Sequence, residues 1–312
     1  MENLLLSLNI VMPLFIMMAL GYLLRRLKCI DPEIISKMNR LAFQVFIPLL
    51  LFQSVYESDI TSALDGKLIG YVLGAVLVNF VLVCLLYWKI EPNPARRGTL
   101  IHGTFRGNTA LFGIPVALAL FGEGNVAAVA LVLGCTIPLF NILAVLTLNF
   151  FSGHKVVWKT VAKDILTNPL IIGVLLGMVF ALLHLSLPQM LYQPIKSLAA
   201  VATPLSFILL GASFSFTAAS HNRNMLLTST VVKLVVMPVA WIGLGALLGF
   251  RDQALAAIMT VFAPPAAVTS FSMAQMMGGD VELAGEIVVF TSLFSILTLF
   301  IWLFAMKNLG WL

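Results

Sequence analysis

The residues best suited to chemistry in this chain stand in two short stretches that interrupt apolar surroundings. The first is Gly107-Asn108-Thr109-Ala110-Leu111-Phe112-Gly113-Ile114-Pro115, and the second is Ala263-Pro264-Pro265-Ala266-Ala267-Val268-Thr269-Ser270. Proline lacks a backbone donor and its ring clashes with the preceding turn, so Pro115 is expected to break one helix and Pro264-Pro265 another. Gly113 eases the first bend, with Ile114 beside it, and Ala266 follows the second proline pair. Lipid cannot satisfy freed backbone groups, so both breaks must be buried in protein or line a cavity. A helix that restarts at such a break presents unpaired N–H donors and about half a positive charge. Two such ends facing one cavity suit an anion, most simply a carboxylate. Asn108 and Thr109 add side-chain donors from one stretch, and Thr269 and Ser270 add hydroxyls from the other.

Two ionisable residues stand apart from the loops. Lys233 lies mid-span in Val-Val-Lys-Leu-Val-Val-Met-Pro238, where a charge is expensive and faces a cavity or a partner. It can supply charge to an anionic substrate or pair with a carboxylate. Glu286, one turn into the last apolar run, is the candidate partner or proton carrier, or else reaches towards the headgroups. Asn79 reads as an interhelical hydrogen-bonding group. His102, His154, His184 and His221 have no ligand spacing, and Cys29, Cys84 and Cys135 form neither a disulfide framework nor a zinc site. No metal or cofactor is expected, while sodium ions and protons both stay open as coupling ions.

The elements that must carry these residues follow from composition. Of 312 residues, 61% are hydrophobic and 10% charged, against roughly 25% charged in a soluble protein. The chain is therefore expected to be an all-α integral membrane protein. The basic residues sit in short turns, not on one dense patch, which argues against nucleic-acid binding. The first apolar run lacks a basic leader and a cleavage site, and reads as a retained span. A span needs roughly 20 apolar residues, which gives about ten, near 4–24, 38–56, 68–88, 99–121, 126–150, 165–185, 197–217, 225–249, 253–277 and 283–306. Arg25, Arg26, Lys28, Lys37, Arg40, Lys89, Arg96, Arg97, Arg106, Lys155, Lys159, Lys163 and Arg223 then fall on one side. That side is cytoplasmic by the positive-inside rule, so both termini are expected outside, in a multi-pass protein of the plasma (inner) membrane.

A shift of about 156 residues pairs Pro13 with Pro169, Pro32 with Pro188 and Pro48 with Pro204, and Gly21 with Gly177. The expected organisation is two five-helix repeats, 1–156 and 157–312. Five spans is an odd number, so the second repeat is inverted, as in many secondary transporters. The same shift lays Asn108-Thr109 over Pro264-Pro265, making the breaks in helices 4 and 9 equivalent positions. Gly70-x-x-x-Gly74 and Gly173-x-x-x-Gly177 read as packing faces.

Asn-Thr-Ala-Leu-Phe-Gly-Ile-Pro (108–115) resembles the helix-4 crossover of the auxin efflux carrier family, which includes plant auxin exporters and bacterial carriers associated with malonate and other organic acids. Lys233-Leu234 with Pro238, and Ala263-Pro264-Pro265, resemble its later patterns. The resemblance implies an elevator-type carrier, often a homodimer, with Asn108 holding the carboxylate of a small organic anion and with Pro115 and Pro265 marking crossed breaks. Plant members have a long cytoplasmic loop between the halves that is absent here, so the organic-acid branch fits better than auxin. Bile-acid sodium symporters share this architecture and form an alternative reading. An anion channel is a third, and an enzyme is disfavoured because no paired carboxylates or Ser/His/Asp grouping lies near a span.

Overall fold

Several helices begin where a short polar residue meets proline. Asp31 accepts a hydrogen bond from Ile34 N at 2.8 Å ahead of Pro32. Asn93 accepts from Arg96 N at 3.2 Å ahead of Pro94, and Asn168 from Leu170 N at 2.9 Å ahead of Pro169. Each side chain satisfies a donor the helix leaves unpaired, and proline tolerates the first turn because its missing N–H is not needed there. A computed structural model describes residues 2–57, 65–109, 111, 116, 120, 127–151, 167–214 and 222–311.

The described elements are helical. They are α1 (Glu2–Arg26), α2 (Pro32–Leu41), α3 (Ile47–Tyr56), α4 (Gly66–Ile90), α5 (Pro94–Phe105), α6 (Ala127–Phe151), α7 (Pro169–Leu182), α8 (Gln189–Ser213), α9 (Arg223–Val231), α10 (Met237–Leu247), α11 (Asp252–Phe262), α12 (Thr269–Met276) and α13 (Val281–Asn308). Widened π-helical turns at Ala42–Phe46 and Val232–Val236 join α2 to α3 and α9 to α10. Each precedes a proline, Pro48 or Pro238, which cannot donate to the carbonyl one turn back, and the wider turn absorbs that missing bond. Six of the described helical stretches are long and apolar enough to cross a membrane: Pro32–Tyr56, Gly66–Ile90, Leu131–Phe151, Gln189–Ser213, Arg223–Leu247 and Val281–Asn308. The chain is an all-helical, multi-pass membrane protein.

The helices pack into two groups. α1, α2, α3, α7 and α8 form one, joined through α1–α8, α2–α8, α3–α8 and α3–α7 contacts, while α4, α5, α6 and α9–α13 form the second; α13 touches α1 and α8, α6 touches α3 and α7, and α12 touches α2 and α8 between the groups. Glycine sets the spacing within the first. A Cβ on Gly21 would collide with the Ile208 carbonyl of α8, and one on Gly211 with the Met18 carbonyl of α1, so the two helices press together through reciprocal glycines. Gly173 and Gly177 press α7 onto Pro48 and Phe52 of α3 in the same way, whereas nothing among the described residues lies within 4 Å of a Cβ on Gly70 or Gly74.

Candidate functional site

In the second group α5 and α11 each stop inside the protein. Residues Gly98 to Phe105 of α5, Leu255 to Phe262 of α11 and Thr269 to Ala274 of α12 are all buried. The backbone groups freed at the two ends meet each other. Asn108 N donates to Pro265 O at 2.8 Å, Ala267 N donates to Arg106 O at 3.4 Å, and Gly107 pairs with Ala266 as an isolated antiparallel bridge. Ala266 N donates in addition to Thr291 Oγ1 at 3.1 Å. A broken backbone inside a bilayer survives on such mutual satisfaction.

A cavity of about 50 Å³ opens beside this crossing. Its polar wall is Arg106, Asn108, Thr109, Asn141, Thr269 and Ser54, and its apolar wall includes Leu50 and Leu51 of α3 and Ile137 and Phe140 of α6. It therefore lies between the two helix groups. The Asn108 side chain makes no hydrogen bond among the described residues and is half-buried. Thr269, the first residue of α12, is 8% exposed, and its Oγ1 has no partner among the described residues. Donors without acceptors, a helix N-terminus and a small recess are the ingredients of an anion site.

The structure gathers some of the expected residues and separates others. Asn108, Thr109 and Thr269 share the cavity wall. Pro265 and Ala266 supply backbone to the crossing, and Pro264 O lies near Gly107. Ser270 is buried with an unpartnered hydroxyl but stands off the cavity. Gly113, Ile114 and Pro115 lie outside the described residues, and the interruption described in the first stretch falls earlier, at Arg106–Asn108.

Lys233 occupies the widened turn Val232–Val236 and is fully buried. Its Nζ has no hydrogen-bond partner among the described residues and comes within 3.1 Å of the position a Cβ on Gly107 would take. The amine thus lies beside Gly107 at the crossing, and the expected pairing with Glu286 is not found. Glu286 accepts instead from Asn222 Nδ2 at 2.8 Å. Asn222 in turn accepts from Arg96 Nη2 at 2.8 Å, and Arg96 also binds Glu91 and Asp280 at 3.3 Å each. Glu286 belongs to this polar cluster because Asn222 precedes Lys233 by about 16 Å along the helix axis. Asn79 does bond between helices, accepting from Trp241 Nε1 at 3.1 Å.

Three polar residues of the cavity wall escaped sequence reasoning: Arg106, Asn141 and Ser54. Arg106 reads from the sequence as one of the basic residues on the side expected to be cytoplasmic, carried by the half-helix after the loop, yet it is 5% exposed and lines the cavity. Asn141 had no flag, although an amide in the middle of an apolar span carries the same meaning as Asn79.

A profile of the family described as Membrane transport protein matches residues 7–156 and 152–303. An uncharacterized transporter of Methanothermobacter thermautotrophicus is 26% identical over 95% of this chain and 97% of its own length. A putative malonate transporter of Rhizobium meliloti is 25% identical over 93% of this chain and 92% of its own. Auxin efflux carrier component 8 of Arabidopsis thaliana is 32% identical over 36% of this chain and 32% of its own.

Proposed function

Since the chain belongs to the Membrane transport protein family, that of the auxin efflux carriers, and is a transporter rather than an enzyme, we propose that it is a secondary-active carrier of small organic anions such as malonate. The observation that carries this reading is the crossing itself: two broken helices satisfy each other's backbone beside a small cavity lined by Asn108, Thr109 and Thr269. A carboxylate there would accept from the Asn108 amide and the Thr109 and Thr269 hydroxyls while lying at the N-terminal end of α12. The similar protein from Rhizobium meliloti carries malonate in its name, which favours short acids over the ring-bearing auxins. The cavity agrees in size, since about 50 Å³ is room for about four waters.

The full architecture we propose is ten spans in two inverted repeats, 1–156 and 157–312, with both termini outside the cytoplasm. The group containing α5, α11 and α12 would move as a body against the group of α1, α3, α7 and α8, exposing the cavity to alternate sides. The sequence offset and the cavity's position between the groups support this elevator reading. Lys233 would hold the crossing's geometry and add a positive field. Either sodium or protons could drive the cycle, and a homodimer through the first group fits the architecture.

The test is a thermal-shift screen of purified protein against malonate, malate, lactate, succinate, pyruvate and indole-3-acetate, each with and without sodium. A ligand that binds the native state raises its apparent stability. At least one short acid should stabilise the wild type and lose that effect in Asn108→Ala. A sodium requirement would name the coupling ion. Stabilisation by no acid, or equal stabilisation of Asn108→Ala, would remove the crossing as the binding site.

A further inference from the structure

Two cations are buried at the crossing, and only Arg106 faces the cavity. A guanidinium is permanently charged and carries five N–H donors in a planar fork. Here Nη2 donates to Asn141 Oδ1 at 3.1 Å and Nη1 to the Met273 thioether at 2.9 Å. Both partners are neutral, and sulfur is a weak acceptor. None of the ion pairs among the described residues, Lys37–Glu33, Arg96–Glu91 and Arg96–Asp280, includes Arg106. An arginine buried for structure alone is ordinarily met by a carboxylate, because a desolvated charge without a counter-charge is costly. Asn141 and Met273 aim the fork without neutralising it, which leaves the charge for something that enters the cavity.

We propose that Arg106 reads a second carboxylate on the cargo, so that this carrier selects short acids with two carboxylates over acids with one. The inference rests on the small-anion reading above and adds the residue that sets charge specificity. One carboxylate takes the donors of Asn108, Thr109 and the start of α12. The other meets the fork of Arg106, whose parallel N–H groups match a carboxylate in a way a lysine cannot. The small recess favours a short linker between the carboxylates, which points to acids of three or four carbons.

The experiment is calorimetric titration of purified wild type, Arg106→Gln and Asn141→Asp with malonate and succinate, and with their half-amides malonamate and succinamate. Each half-amide keeps the length and one carboxylate while removing the second charge. In the wild type at least one dicarboxylate should bind about tenfold or more tighter than its half-amide. In Arg106→Gln that ratio should fall to near one through loss of dicarboxylate affinity, with half-amide affinity retained. Asn141→Asp should do the same, since it places a carboxylate on the guanidinium and satisfies the fork internally, and it serves as the test if Arg106→Gln does not fold. Half-amides binding the wild type as tightly as their diacids, or a ratio unchanged in the folded variants, would overturn the role of Arg106 and leave the small-anion reading standing. Absence of wild-type binding by all four compounds and by the acids of the thermal-shift screen would instead overturn that reading itself, and this inference with it.

Discussion

Asn108 and Lys233 do different work at the same crossing, and substitutions should separate them. Asn108 contributes a side-chain donor to the cavity and no side-chain hydrogen bond among the described residues. A hydrogen bond to a charged group contributes about 1.5–3 kcal/mol, so Asn108→Ala should weaken acid binding about 10- to 100-fold with the melting midpoint unchanged. Calorimetry against the tightest acid of the screen measures this. Lys233 is a buried cation with no partner among the described residues, and removing an uncompensated charge relieves its desolvation cost. Lys233→Met should therefore keep or raise the melting midpoint in detergent while transport in proteoliposomes falls. A lower midpoint with normal transport would show an unrecognised structural partner. Both residues were legible in the sequence because each is a polar group inside an apolar run. Arg106 was not, because next to Lys89, Arg96 and Arg97 it counts as one more basic residue of the side expected to be cytoplasmic. Only the fold shows α5 turning inward and carrying it into the protein.

At the scale of elements, the close approaches are set by backbone. Gly21 and Gly211 lock α1 against α8, and a larger side chain must push the helices apart. Overpacking of this kind costs about 1–3 kcal/mol or more, so Gly211→Leu should lower the melting midpoint markedly. Gly70→Ala should leave it unchanged, since nothing lies within 4 Å of an added Cβ there. A thermal melt of the two variants side by side checks both statements. Small-xxx-small spacing alone could not tell these glycines apart, because Gly70-x-x-x-Gly74 and Gly173-x-x-x-Gly177 look alike until the facing helix is known. Helix starts were easier to read: Asp31-Pro32, Asn93-Pro94 and Asn168-Pro169 announce themselves chemically. The end of α11 falls just ahead of Pro264-Pro265, as their chemistry implies, but the end of α5 was harder. Phe105 ends α5 with no proline nearby, since what stops the helix is the pairing of residues 106–108 with a segment far away in sequence.

At the scale of the molecule, the cavity's position between two helix groups would tie binding to movement in the proposed cycle. The groups are latched near the crossing by Asn39 of α2, which donates to Gln275 Oε1 at 2.6 Å and accepts from Ser272 Oγ at 2.6 Å. The proposed movement of one group against the other would have to release this latch in every cycle. A disulfide between Asn39→Cys and Ser272→Cys, made after replacing Cys29, Cys84 and Cys135, should stop transport under oxidation and restore it under reductant. Full cross-linking with undiminished transport would rule out rigid-body motion between these groups. Hydrophobic runs, charges and a proline offset made the membrane class and the two special stretches readable from sequence. The grouping of helices rests on pairings between distant segments, which no local pattern encodes.

The most direct measurement is counterflow in proteoliposomes loaded with the acid that stabilises the protein best. The wild type should take up labelled acid with saturable kinetics and be accelerated by unlabelled acid on the far side, and Asn108→Ala should lose most of this flux. Flux that rises linearly with concentration, shows no acceleration from the far side, or is unchanged in Asn108→Ala would contradict a carrier whose binding site lies at the crossing.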